Sequence, residues 1–295
     1  MKHLLLIMSV GAMTGAAATA AQDRFTASAD AVSIDVAVRG RSGPISQLTA
    51  LDFELTDNGI VQKLSDVTAE SGPIALDLLV DSSASVISRG SVRSQLTEAM
   101  RIARSRLVGG DKFSVNYFSD RAMADQPMSL DAPPNLLADG GTSLLDALAI
   151  ATMKSPDPSR RRLLIVLTDG VDTSSVLGSA LVKRLAVRTD GVVDAVAISP
   201  NRRAWTFVFN AMPGRIPSDY DAALGEIVAA TGGRLFIPSA GASLAEMLSA
   251  AIDEFRTRYV IRYIPSNSDR GWHEIKVKVK GHGDYEVTAK RGYER

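Results

Sequence analysis

The sequence predicts a doubly wound, mainly parallel α/β domain, inserted between two terminal β segments that pair into one small β domain. Continuous apolar runs predict the sheet: "IALDLLV" (74–80), "LLIVL" (163–167), "VVDAVAI" (192–198) and "RLFI" (234–237) have the character of strands buried on both faces. Stretches with apolar residues at helical spacing separate these runs, and strand–helix alternation of this kind gives a helix-covered sheet. Outside this region the texture is β, and each terminal segment alone is too small to bury a face, so the two are expected to pair.

Composition sets the limits. At 295 residues, 45% apolar and 22% charged, the chain has the make-up of a packed globular protein rather than a disordered one. Its 33 basic residues against 33 acidic give no electrostatic case for nucleic acid as a partner. No cysteine is present, which excludes disulfides, thiolate metal ligands and cysteine nucleophiles.

Residues 1–21 read as a signal peptide, with Lys2 as its positive start, "LLLIMSV" as its apolar stretch and "ATAA" (18–21) as a cleavage region. The uncharged run from Leu4 to Ala21 is 18 residues, and its second half is mostly Gly, Ala and Thr, which is thin for a membrane span. Cleavage is therefore expected, leaving no stable membrane span and a periplasmic or secreted location. Residues 22–72 form the N-terminal β segment. Within it "VSIDVAV" alternates, "SGP" turns, and "FELTDNGIVQKL" carries Asn58-Gly59, a two-residue hairpin signal.

The α/β domain spans 73–255. "FSVNYF" (113–118) alternates and is expected near an edge. Helical faces are set by Val92, Leu96, Ala99, Ala103 and Leu107, by Leu144, Leu148 and Ala151, and by Tyr220, Ala223, Leu224, Ile227 and Val228. The last helix opens with a capping box, Ser243 to Glu246, and carries Leu244, Leu248, Ala251 and Phe255 on one stripe. Residues 256–295 return to β: "RYVIRYI" alternates, Ile275, Val277 and Val279 share a face, and "YEVTAKRGY" follows. A polyanion site and edge-strand protection both suit Lys276, Lys278 and Lys280, and edge protection is the favoured reading.

Three motifs fall where strands leave the sheet or a helix begins: "LLVDSSAS" (78–85), "GGTSLLDAL" (140–148) and "LLIVLTDG" (163–170). Asp81, Ser83, Ser85, Thr142 and Asp169 then lie at or near the carboxyl edge, where doubly wound domains build their sites. Taken alone, each motif suits turn and cap chemistry. Taken together, five oxygen donors from three loops suit a hard cation, Mg2+ or Mn2+. Such an ion would keep a free position for the Asp or Glu of a protein partner. Ser143 with Asp146 reads as a helix cap that leaves Thr142 free, and Asp172 reads as a surface turn residue.

These motifs resemble the von Willebrand factor type A family: D-x-S-x-S after the first strand, a Thr before the middle helix, and T-D-G after the fourth strand. The resemblance implies a metal-ion-dependent adhesion site (MIDAS), with Ser83, Ser85 and Thr142 contacting the ion and Asp81 and Asp169 acting largely through waters. Ala84 stands where the family usually has Gly, and the disulfide joining the ends of many animal A domains is absent. The "DFELTDNGIVQKL" and "GWHEIKVKV" flanks resemble a bacterial subfamily of exported proteins related to that domain, so the resemblance covers nearly the whole chain after residue 21.

One further stretch stands out. "NRRAWTFVFNAMPGRIPSD" (201–219) carries Arg202, Arg203, Trp205, Phe207 and Phe209, residue types enriched at interface hot spots, and reads either as a partner-binding element or as an extra hairpin. For function, the sequence predicts an exported non-enzymatic binding protein of adhesion type. A structural scaffold subunit of a cell-envelope assembly is the alternative, and a metal-dependent hydrolase is third. After residue 21 the histidines are His273 and His282, both far along the chain from the serine loop, and no G-x-S-x-G elbow or phosphate loop is present.

Overall fold

A computed structural model of the chain describes residues 31–69, 72–88, 90–120, 140–154, 157–198, 219–237, 242–267, 269–281 and 283–295. The 1–21 segment and most of 201–219, with all five of its singled-out residues, lie outside them.

The central sheet contains β6 (Ile74–Asp81), β7 (Lys112–Phe118), β8 (Arg161–Thr168), β9 (Gly191–Ala197) and β10 (Leu235–Phe236). Its order is β10-β9-β8-β6-β7, and every described pairing in it is parallel. The alternating strand β7 is an edge, as its pattern predicts. Successive residues of a strand face opposite sides, so a run apolar at every position feeds two cores. Ile74, Leu76, Leu78 and Val80 of β6 face one side, with Leu163, Ile165 and Leu167 of β8. There they meet α2 (Val92–Ser105) and α6 (Leu244–Arg256). Leu79, Leu164, Val166, Val193 and Ala195 face the other side, under α3 (Leu144–Met153), α4 (Ser179–Arg188) and α5 (Asp219–Ala230). Each Leu, Ile or Val buried in this way is worth about 1.5–3 kcal/mol.

Two helices escaped the sequence reading. α4 buries only Val182, Ala186 and Val187, a stripe too narrow to stand out among its charges. The four-residue α1 (Ala84–Ile87) lies within the serine loop itself. A further correction concerns T-D-G, which follows β8, the third strand of the sheet in chain order among the described residues, not the fourth.

The terminal segments join as expected, in one β module made of two antiparallel sheets. The first has the order β13-β1-β11-β5, built from β1 (Val32–Gly40), β5 (Leu64–Ala69), β11 (Tyr259–Tyr263) and β13 (Glu286–Ala289), with β2 (Gly43–Pro44) paired to β1. The second is β14-β12-β3-β4, from β3 (Phe53–Asp57), β4 (Ile60–Val61), β12 (Trp272–Val279) and β14 (Gly292–Glu294). They share a core of Ile34, Val36, Phe53, Leu55, Tyr259, Ile261, Tyr263 and Ile275. The Asn58-Gly59 turn joins β3 to β4, and φ values of 48° and 81° account for that pair of residues. β5 and β11 are neighbours, Ala69 opposite Tyr259, so the α/β module is inserted between adjacent strands of the β module. β12 pairs with β14 over Trp272–Glu274 and with β3 over Ile275–Val279, so among the described pairings the half that carries the exposed Lys276 and Lys278 has one partner strand, in keeping with edge protection.

Candidate metal and partner site

β6 and β8 are paired neighbours, and the chain moves from β6 to β7 on one side and to β8 on the other. The crevice between the carboxyl ends of β6 and β8 is therefore the switch point where doubly wound sheets bind ligands. Asp81 ends β6 and Thr168 ends β8.

Asp81 is fully buried. One carboxylate oxygen accepts the Ser83 amide at 2.9 Å and the other accepts the Thr168 hydroxyl at 2.7 Å. Burial pushes its pKa up to about 6 against the hydrogen bonds from Ser83 and Thr168, and the nearby Asp169 carboxylate adds to the rise. Ser83 is buried while Ser85 is exposed, and their hydroxyls lie 3.1 Å apart. The Asp169 carboxylate accepts the Val171 amide at 3.3 Å. Gly170, with φ 87°, turns the chain there and gives its amide to the Thr168 hydroxyl at 3.1 Å.

The middle loop ties the other two together. Gly140 O accepts the Ala84 amide at 3.4 Å, and Thr142 O accepts the amides of Thr173 and Ser174 at 2.9 and 3.0 Å. The Thr142 amide donates to the Thr173 hydroxyl at 2.8 Å. This close passage requires Gly141, where a Cβ would overlap the hydroxyls of Thr173 and Ser174. Ala84 costs nothing where glycine was expected, because it is the first residue of helical α1 and its φ is not positive.

Two expectations fail here. Asp172 is not a surface turn residue: it is buried and accepts the Leu145 amide at 2.8 Å, capping α3 from another loop, as Ser175 does for Asp146 N at 3.1 Å. The Ser143–Asp146 cap does not form. Ser143 donates its hydroxyl to Asp120 O at 2.8 Å, and the Asp146 carboxylate accepts the Val176 and Leu177 amides at 2.9 and 2.8 Å. Physically, the 169–178 loop folds back over the start of α3, and each loop caps the other. Thr168 and Asp172 are the site-building residues the sequence reading missed. T-D-G contained the first, and D-x-x-S (Asp172 to Ser175) was the signal for the second.

The structure thus joins Asp81, Ser83 and Ser85 by direct hydrogen bonds, sets Asp169 close enough to raise the Asp81 pKa, and holds Thr142 in the loop between them. The donor set is oxygen only, which fits a hard divalent cation. Among the described residues no group of three or more His, Asp or Glu side chains could hold a metal, so a cation at this place would need hydroxyl oxygens beside the carboxylates.

No protein-family model matches the chain, and no curated protein sequence matches it. Several solved structures are similar. A von Willebrand factor type A protein from Catenulispora acidiphila is 17% identical, with a TM-score of 0.49 over 84% of this chain and 75% of that one. Proximal thread matrix protein 1 from the mussel byssus, with a zinc-occupied MIDAS motif, is 15% identical, with a TM-score of 0.47 over 66% of this chain and 48% of that one. The manganese-loaded TRAP protein of Plasmodium vivax is 13% identical, with a TM-score of 0.40 over 82% of this chain and 98% of that one. No helix among the described residues is long and apolar enough to cross a membrane.

Proposed function

We propose that the chain is an exported, non-enzymatic binding protein that engages an acidic group of a protein partner through a divalent cation, Mg2+ or Mn2+. Asp81, Ser83, Ser85, Thr142 and Asp169 would hold the ion. The observation that carries this reading is the mutual bonding of three loops at the switch-point crevice, with the Asp81 carboxylate fixed between the Ser83 amide and the Thr168 hydroxyl. When bound, the ion would supply an electrophilic position to a partner's Asp or Glu. The chain's own residues do the preorganising. Asp81 sets the backbone of the serine loop, Thr168 fixes Asp81, and Asp146 and Asp172 lock the 169–178 loop over α3.

A hydrolase needs a general base near the serines. His273 is buried in the β module, with its two nitrogens on Asp57 and the Asp269 carbonyl, so it is not that base. The exported location rests on the 1–21 segment.

Thermal unfolding in EDTA, Mg2+, Mn2+ and Ca2+ tests the site. An ion at a hundred times its dissociation constant adds about 2.7 kcal/mol, a rise of roughly 5–10 °C for a chain of this size. Ser85→Ala, at an exposed position, should fold normally and lose that rise. The absence of a rise in the wild type would move the reading to the scaffold subunit.

A further inference from the structure

The two modules enclose a cleft at the amino edge of the parallel sheet, away from the three loops. Its volume of about 860 Å3 is that of a small-molecule site. One wall comes from the α/β module, where β8 and β9 begin and α4 ends, and it includes Arg161, Thr189 and Asp190. The other wall comes from β1, β11 and the C-terminal strands, and it includes Asp35, Arg262 and Lys290.

Most charges in these walls are engaged. Arg161 binds Asp35 and donates to Phe255 O at 3.3 Å, and Arg262 binds Asp66 at 2.9 Å. Lys290 differs. It is half-buried, and its Nζ donates to Thr189 O at 3.0 Å with no carboxylate within ion-pair distance among the described residues. Burial lowers its pKa, and the attraction of Asp190 and Asp35, both beyond ion-pair range, only partly restores it. An ammonium has three protons to donate and Thr189 takes one. The cleft therefore presents a partly desolvated cation with spare donors, in a wall that carries further arginines.

We propose that this interdomain cleft binds a small anion with a phosphate or carboxylate group, and that Lys290 is its charged contact. Because both modules line the cleft, a bound anion would staple one to the other. The sheet's amino edge is not where doubly wound domains take their usual ligands, so this site is separate from the serine loops.

The test is thermal unfolding of the whole chain in inorganic phosphate or in succinate, against sodium chloride at matched ionic strength. At ten times the dissociation constant, a rise of about 3–5 °C is expected. A rise in phosphate alone, or in succinate alone, would identify the group recognised. Lys290→Met should remove the rise, Lys290→Arg should keep it, and Asp190→Asn, which removes a competing carboxylate, should enlarge it. The proposal is overturned if neither anion stabilises the wild type, or if folded Lys290→Met keeps the full rise.

Discussion

His273 shows how a single residue can set a pH response. Its Nδ1 lies 2.7 Å from Asp57 Oδ1 and its Nε2 lies 2.9 Å from Asp269 O. A carbonyl oxygen only accepts, as does an ionised carboxylate, so the ring is best satisfied as the doubly protonated imidazolium. Burial works against that charge, yet the hydrogen bonds to the Asp269 carbonyl and to Asp57 outweigh it and hold the pKa above its ordinary value. Tyr263 and Tyr293 donate to the other Asp57 oxygen at 2.8 and 2.9 Å, and Arg295 is the nearby cation that opposes the rise. A raised histidine pKa contributes stability that is complete below the unfolded value of about 6.5 and is lost as pH climbs through the folded value. The melting-temperature gap between wild type and His273→Gln should therefore be widest near pH 6 and narrow toward pH 9, and a gap independent of pH would refute this. None of this was legible in the sequence, where His273 and Asp57 stand 216 positions apart. Asp172 was misread for the same reason: its cap partner, the Leu145 amide, is 27 positions away. Asp81, Ser83 and Ser85 were legible because one short loop at a strand end carries all three.

Elements were legible where one periodicity ruled. The short apolar runs of β6, β8 and β9, alternating with helical stretches, marked buried strands, and the α6 stripe with its Ser243–Glu246 box marked both the helix and its start. α4 was missed because its burial is shallow, and the split of the β module into two sheets because strand pairing is not local. The turn after α5 shows what such contacts demand. A Cβ on Gly233 would overlap Val193 O of β9, and one on Gly232, at φ 76°, would strike the backbone of Ala289 and Lys290 in the other module. Gly233→Ala should therefore cost about 1–3 kcal/mol or more, as overpacking does. Gly109, where an added Cβ meets nothing within 4 Å, is the control. Urea unfolding separates the two, and equal midpoints for Gly233→Ala and Gly109→Ala would remove the argument.

At the scale of the whole molecule, the seam between modules is made largely of charge. Glu254 on α6 is 3% exposed and takes Arg39 from β1 and Arg234 at 2.9 Å on one oxygen. Arg258, fully buried, donates to Gly232 O at 2.7 Å and lies 4.0 Å from Asp194. Arg161 binds Asp35 across the seam, and Arg188 binds Glu294 at 2.5 Å. A hydrophobic seam would tolerate loss of one side chain by local collapse, whereas a buried ionic one leaves the surviving charges unpaired. Glu254→Ala removes the shared anion and strands Arg39 and Arg234, with the buried Arg258 close by. Arg39 and Arg234 are 26% and 30% exposed and can turn to water, so the loss is less than the ~3–5 kcal/mol of a fully buried pair. A loss of about 2 kcal/mol is expected, roughly a 5 °C fall in melting temperature for a chain of this size. Calorimetry should show that fall, with the single wild-type transition divided into two as the modules uncouple. An exposed pair gives the contrast: Lys276→Ala, which loses only the surface bond to Glu274, should shift the transition by less than about 0.5 kcal/mol. If Glu254→Ala behaved like Lys276→Ala, the modules would be held by the chain connections through β5 and β11 and by backbone bonds such as Arg291 N to Ala230 O at 3.0 Å, and the buried charges would be tolerated without being needed.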